Sequence, residues 1–104
     1  MPHQVLVHAP GDAVGVAVQE IHAGDRVTGM VLRDQSIREV TARDPVPLGH
    51  KIALRPIQRG ERVIEYGEVI GEAQADISPG QHVHIHNLRS VRWRASVATD
   101  GRGE

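Results

Sequence analysis

The chain has 104 residues, with 12 Lys and Arg against 13 Asp and Glu for a formal net charge of -1, and it contains no cysteine. That length fits one small domain burying roughly 60 to 68% of its unfolded surface. The charge balance excludes a broad basic footprint for nucleic acid, despite a local cluster of Arg89, Arg92 and Arg94, and the missing cysteine excludes a disulfide framework and thiol chemistry.

The start, Pro2-His3-Gln4, does not read as a leader, and no apolar run approaches the ~20 residues of a membrane span, so a soluble cytoplasmic protein is expected. With no Phe, one Trp and one Tyr, the core must be aliphatic, and the supply of Val and Ile favours strands. Eleven Gly and six Pro break the chain too often for a long amphipathic helix. The expected class is therefore mainly β, built of short strands and tight turns, with at most one or two short helical turns.

Val5 to His8 opens as a strand and stops at the turn sequence Ala9-Pro10-Gly11-Asp12. Val14 to Val18 carries Val at every second position, a strand with one apolar face, and Ile21 to Asp25 turns the chain. Arg26 to Arg33 is the next strand, where Gly29 suggests a bulge or a close backbone approach. Asp34-Gln35-Ser36 is a turn, Ile37 to Thr41 a strand, and Asp44-Pro45-Val46-Pro47-Leu48-Gly49 a rigid connector. It delivers His50 to Leu54, with Ile52 and Leu54 sharing a face with His50 and Lys51 and Ala53 on the other. Gln58 to Glu61 reads as a turn, Val63 to Tyr66 as a strand, and Gly67 to Gly71 as its continuation after a glycine break. Ala73 to Ser78 is the one candidate helical turn. No internal repeat stands out, and the reading is a single domain over 1–93 followed by a flexible tail over 94–104.

His82-Val83-His84-Ile85-His86-Asn87 carries the densest chemistry. On a strand, strict alternation sends three imidazoles to one face and Val83 and Ile85 to the other. Imidazole is the commonest metal ligand and titrates near neutrality. Residues at i and i+2 can supply two ligands to a Zn or Fe site with a third from elsewhere, whereas three in a row span roughly 13 Å, too far for one ion. His84 and His86 are therefore the candidate metal ligands, while His82, beside the preceding turn, reads equally as solvated or structural.

Taken together, Gly49-His50-Lys51-Ile52-Ala53-Leu54, Gly60-Glu61, Tyr66-Gly67, Ile70-Gly71, Asp76-Ile77 and His84-Ile85-His86-Asn87-Leu88 resemble the SAF domain of the altronate and galactarate dehydratase family over roughly residues 4 to 90. Asp12 to Val18 matches the family's early Asp followed by alternating Val and Ala. The family usually has an aromatic residue where this chain has His82. The resemblance implies a compact β-clip fold of the antifreeze-like kind. It also implies a lyase that eliminates a group β to a carboxylate, either dehydrating a sugar acid such as altronate or galactarate or releasing sulfite from sulfolactate. A divalent metal, Fe or Mn, is the implied cofactor. The short chain corresponds to a small subunit beside a large dehydratase-family subunit, with a small hydroxy acid as substrate, no nucleic acid or membrane partner, and room for a homo-oligomer.

Carried onto this chain, the Gly-His-Lys match makes His50 and Lys51 the catalytic candidates: His50 for proton transfer or metal ligation, Lys51 as a point charge for a substrate carboxylate. Asp12 and Asn87 are the substrate-binding candidates, although Asp12 after Pro-Gly is equally a turn residue. Tyr66 and Trp93 read as core or interface residues, and Gly49, Gly67 and Gly71 as providers of backbone shape. Two other readings remain open: a non-catalytic carbohydrate- or protein-binding module, and a stand-alone metal-binding β domain.

Overall fold

The computed structural model describes residues 3–90, so Trp93, Arg92, Arg94 and the tail expected over 94–104 lie outside the described residues. Among the described residues nine short strands form: β1 (Val5–Val7), β2 (Val14–Ala17), β3 (Arg26–Val31), β4 (Ile37–Thr41), β5 (Lys51–Ala53), β6 (Arg62–Glu65), β7 (Glu68–Ala73), β8 (His82–Val83) and β9 (Leu88–Ser90). A six-stranded sheet runs β4-β3-β1-β2-β5-β8 and a three-stranded one β6-β7-β9. The pairing is antiparallel throughout except between β1 and β3. Mainly β is thus the observed class, and among the described residues no helix is long and apolar enough to cross a membrane.

The aliphatic alternation places the core. Val5, Val7, Val27 and Val31 point inward from β1 and β3 and join Ile21, Val46 and Ile52 in one buried cluster. Ala13, Val14, Ala53, Ile57, Val63, Ile77 and Val83 form a second. Strand β5 lies between them, sending Ile52 to the first and Ala53 to the second, while the following Leu54 packs against the first. That short strand is therefore fixed from both sides, and it is the strand that His50 and Lys51 enter.

Three sequence expectations are corrected. Ala73 to Ser78 is not a helical turn: Ala73 ends β7, and Ile57 and Ile77 exchange backbone hydrogen bonds of 2.9 and 2.7 Å as an isolated antiparallel bridge. Gly29 makes no bulge, since β3 pairs in register with both neighbours; the irregularity falls between Val63 and Ile64. The chain also does contain a repeat. Ala-x-x-x-(Ile or Val)-x-x-Gly occurs four times, at Ala17/Ile21/Gly24, Ala42/Val46/Gly49, Ala53/Ile57/Gly60 and Ala73/Ile77/Gly80.

The four copies have one geometry. Each glycine sits at φ between +87 and +93°. It occupies the third position of a turn closed by the hydrogen bonds Asp25 N to His22 O, His50 N to Pro47 O, Glu61 N to Gln58 O and Gln81 N to Ser78 O, of 2.9 to 3.1 Å. A positive φ at that position defines a type II turn, which selects glycine. Each glycine N–H then donates to a buried alanine carbonyl of a paired copy, Gly24 to Ala42, Gly49 to Ala17, Gly60 to Ala73 and Gly80 to Ala53, at 2.8 Å throughout. The same four alanines donate back to the residue after the glycine. Two reciprocal turn pairs result, with each alanine, 0 to 2% exposed, small enough for the turn to close over it.

Candidate functional site

In three of the four turns the residue after the glycine folds back on its own turn. Asp25 accepts from His22 N, Glu61 from Gln58 N and Gln81 from Ser78 N, at 2.6 to 2.9 Å. The equivalent donor in the second copy belongs to Pro47, which has no N–H, and the residue after Gly49 is His50. With no donor to cap, the imidazole of His50 is free to face elsewhere.

Strand pairing decides where. β5 and β8 are antiparallel, with Lys51 opposite Val83 and Ile52 opposite His82. Continuing that register by one residue sets His50 opposite His84, with His82 on the diagonal. The His50 and His84 rings stack at 4.0 Å between centroids, and His50 Nδ1 lies 2.8 Å from His82 Nε2, a hydrogen bond in which one ring donates and the other accepts. One nitrogen from each of His50, His82 and His84 falls within 4.8 Å of the others. His82, demoted by sequence reasoning, is thus central to the cluster. The ring of His86 lies beside the cluster, 5.1 Å between centroids from that of His82.

The histidine stretch is not the extended strand expected from its alternation. β8 ends at Val83, and residues 84–87 bend and turn before β9. Asn87 drives this. Its Oδ1 accepts His84 N at 3.0 Å, its Nδ2 donates to His82 O at 2.8 Å, and Leu88 N donates to His84 O at 2.8 Å. Ile85, expected on the buried face, is consequently 81% exposed at the tip of the turn. Asn87 itself is only 6% exposed, and both ends of its amide hold the backbone that carries His82 and His84. The Asp44 carboxylate adds an anchor, accepting His82 N at 3.0 Å.

Burial, and then charge on His86, His50 and His84, lowers the pKa of His82 below the ordinary imidazole value against the opposing pull of Asp44. His84 is lowered by desolvation and then by His50, His86 and Lys51. Crowded imidazoles of like potential charge favour the neutral form, which is the form that ligates a metal.

Lys51 leaves β5 on the other face. Its Nζ lies 4.0 Å from Oε1 of Glu65, whose Oε2 is 3.8 Å from Nε2 of His8. Glu65 is 9% exposed, and burial raises its carboxyl above the ordinary value more than Lys51 and His8 lower it, with Asp12 adding to the rise. Lys51 and His84 also share the wall of a shallow recess with Val83, Ile85, Leu88 and Ser90. Glu65 was missed in the sequence, although a signal existed: on β6 it shares the inward face with Val63, an acid where alternation calls for an apolar residue.

Asp12 is buried beneath a turn. It is 2% exposed, and its carboxylate accepts from Tyr66 N at 2.9 and 3.0 Å and from Ala9 N at 3.2 Å. Those bonds brace the two-residue hairpin turn Tyr66-Gly67, where both residues have positive φ of 60 and 75°. Tyr66 is not a core residue: it is 65% exposed, with its ring 4.7 Å from that of His8. Holding a tyrosine at such a φ costs about 1–2 kcal/mol.

Residues 3–91 match the family model for the altronate/galactarate dehydratase SAF domain. The (2R)-sulfolactate sulfo-lyase subunit alpha of Chromohalobacter salexigens is 40% identical over 89 residues, covering 85% of this chain and 95% of that protein. The subunit of the same name from Paracoccus pantotrophus is 42% identical over 64 residues, 62% of this chain and 96% of that protein. Altronate dehydratase of Escherichia coli is 43% identical over 86 residues, 83% of this chain but only 16% of that enzyme.

Proposed function

The chain belongs to the altronate/galactarate dehydratase SAF domain family, and from that premise we propose that it is the small subunit of a lyase that works with a separate large chain to eliminate a group β to the carboxylate of a hydroxy acid. The observation that carries this reading is the asymmetry of coverage. The match takes in 95% of a lyase's alpha subunit but 16% of a dehydratase that carries the same domain within a longer chain. The match along almost the whole of an alpha subunit supports reading this domain as the counterpart of that subunit, with the remainder of the machinery on a partner chain.

The elimination removes a proton from the carbon α to the carboxylate and expels hydroxide, as water, or sulfite from the β carbon. It needs a cation or hydrogen-bond donors for the carboxylate, which takes on enediolate character, and groups that accept and donate protons. In this reading Lys51 is the cation. Its side chain, about one-third exposed, lines the recess with His84 and offers its ammonium to the substrate carboxylate, while Glu65 beside it limits where its flexible stem can go. Asp12 and Asn87 act behind the surface, the first through the Tyr66 turn and the second through the backbone of His82 and His84.

The test is reconstitution with the large chain and assay on altronate, galactarate and sulfolactate, with the wild-type chain and with Lys51→Ala and Lys51→Arg. Turnover of one of these acids by the pair, with KM raised by Lys51→Ala and partly restored by Lys51→Arg, is the expected result. Turnover indifferent to both substitutions would make this chain a binding or structural module. No turnover of any of the three would remove the lyase reading.

A further inference from the structure

The geometry points to a three-imidazole site on His50, His82 and His84 for one divalent transition-metal ion of the zinc or iron(II) class, with its remaining coordination position open to solvent. The assignment does not rest on the lyase reading, since it concerns binding by this chain itself. It differs from the ligand pair His84 and His86 that the sequence suggests, because the turn at residues 84–87 breaks the strand on which that pair would have shared a face.

Three observations carry it. First, one ring nitrogen from each residue lies within 4.8 Å of the other two. Tetrahedral ligands at the usual metal–nitrogen length stand about 3.3–3.4 Å apart. His50 Nδ1 and His82 Nε2, at 2.8 Å, need only open slightly, and the exposed ring of His84, on a bend, can swing in by side-chain rotation. Second, the scaffold around the cluster is fixed. His50 follows the one type II turn that has no N–H for it to cap, while Asp44 and Asn87 hold the backbone of His82 and His84 through three hydrogen bonds of 2.8 to 3.0 Å. Backbone clamped in this way preorganises ligands, as outer-shell partners do in metal sites. Third, the donor set is all imidazole, with no carboxylate in the cluster, which suits Zn, Fe, Ni or Cu rather than Mn or Mg. Three protein ligands plus an open position is the arrangement of catalytic rather than structural sites.

The test uses the full-length chain, freed of metal by chelation and dialysis, titrated with Zn(II) by calorimetry and with Co(II) by visible absorption. The expected result is one equivalent of either ion and a cobalt ligand-field spectrum of four- or five-coordinate type. His50→Ala, His82→Ala and His84→Ala should each weaken binding by more than the roughly 10–100-fold that loss of an outer-shell partner brings. His86→Ala and His22→Ala should leave it unchanged. Thermal unfolding of each metal-free variant checks folding, and His50→Gln and His82→Gln, which keep side-chain volume and a hydrogen-bonding end, repeat the test should either alanine variant unfold. No binding, or several equivalents insensitive to the three substitutions, would overturn the assignment. So would binding that survives loss of His50 or His82 and is abolished by His86→Ala, which would put the ion on the sequence pair.

Discussion

The four type II turns share one plan, and the turn ending at His50 departs from it in one respect. Around Gly24, Gly60 and Gly80 the next residue caps the turn's first N–H; around Gly49 proline removes that donor and a histidine takes the capping position. A repeated scaffold thus carries its chemistry where its own hydrogen bonding has released a side chain. The structural demand on that position is met by Pro47, so the residue there can be chosen for function.

Substitutions across the four turns sharpen the comparison, and the largest effect is expected at Gly80. A Cβ there would collide with the Thr41 carbonyl as well as meeting the φ of +89°, whereas a Cβ at Gly24, Gly49 or Gly60 meets open space. Gly80→Ala should cost more than about 3 kcal/mol in denaturant unfolding and Gly60→Ala about 1–2 kcal/mol, for the left-handed backbone alone. Equal losses at the two would mean that the turns do not pack as described. Next comes Asn87→Ala, which orphans His84 N–H and His82 O at one stroke and should cost about 2–3 kcal/mol. It should also disorder the imidazole cluster, which the ring resonances of His82 and His84 in NMR would report.

The capping contrast itself is smaller. Glu61→Ala or Asp25→Ala removes an acceptor from a backbone N–H and should cost about 1 kcal/mol, whereas His50→Gln, where no N–H waits, should lie within about 0.5 kcal/mol of wild type. A His50 variant as damaging as the other two would show that His50 braces its turn after all.

The pH responses of the two faces of β5 have opposite signs. His82 and His84, lowered from the ordinary 6.5, hold fewer protons folded than unfolded below that value, so stability should be lost as pH falls through it. His82→Gln should reduce the loss between pH 7.5 and 5.5. Glu65, raised from 4.5, holds more protons folded than unfolded, so its contribution worsens as pH rises. Glu65→Gln should therefore raise the melting temperature at pH 8 and leave it unchanged near pH 4. A variant destabilised at pH 8 would mean that the attraction of Lys51 and His8 outweighs burial.

Much of the fold was legible in the sequence. Alternating Val at 5 and 7, the turn residues around Asp34 and Gly60, and the scarcity of aromatic side chains all led to short strands and an aliphatic core, as observed, although on β2 the core takes Val14 and Ala17 while Val16 and Val18 are only partly buried. The repeat escaped because its fixed identities are small residues separated by variable ones, and because its copies begin at Ala17, Ala42, Ala53 and Ala73, at unequal intervals. The histidine stretch misled because alternation is read as strand, while Asn87, able to bond backbone three and five residues back, wins locally and expels Ile85 into solvent. The convergence of His50 on His82 and His84 depends on the register of β5 against β8, a pairing across thirty residues that local patterns do not encode.

The most direct measurement is a titration of this chain into a fixed amount of the large chain, following elimination from sulfolactate and from altronate. The expected result is activity that is low or absent without this chain and that rises to a plateau at a fixed molar ratio, the behaviour of an obligate subunit. A large chain that turns over its substrate at the same rate with and without this one would contradict the account.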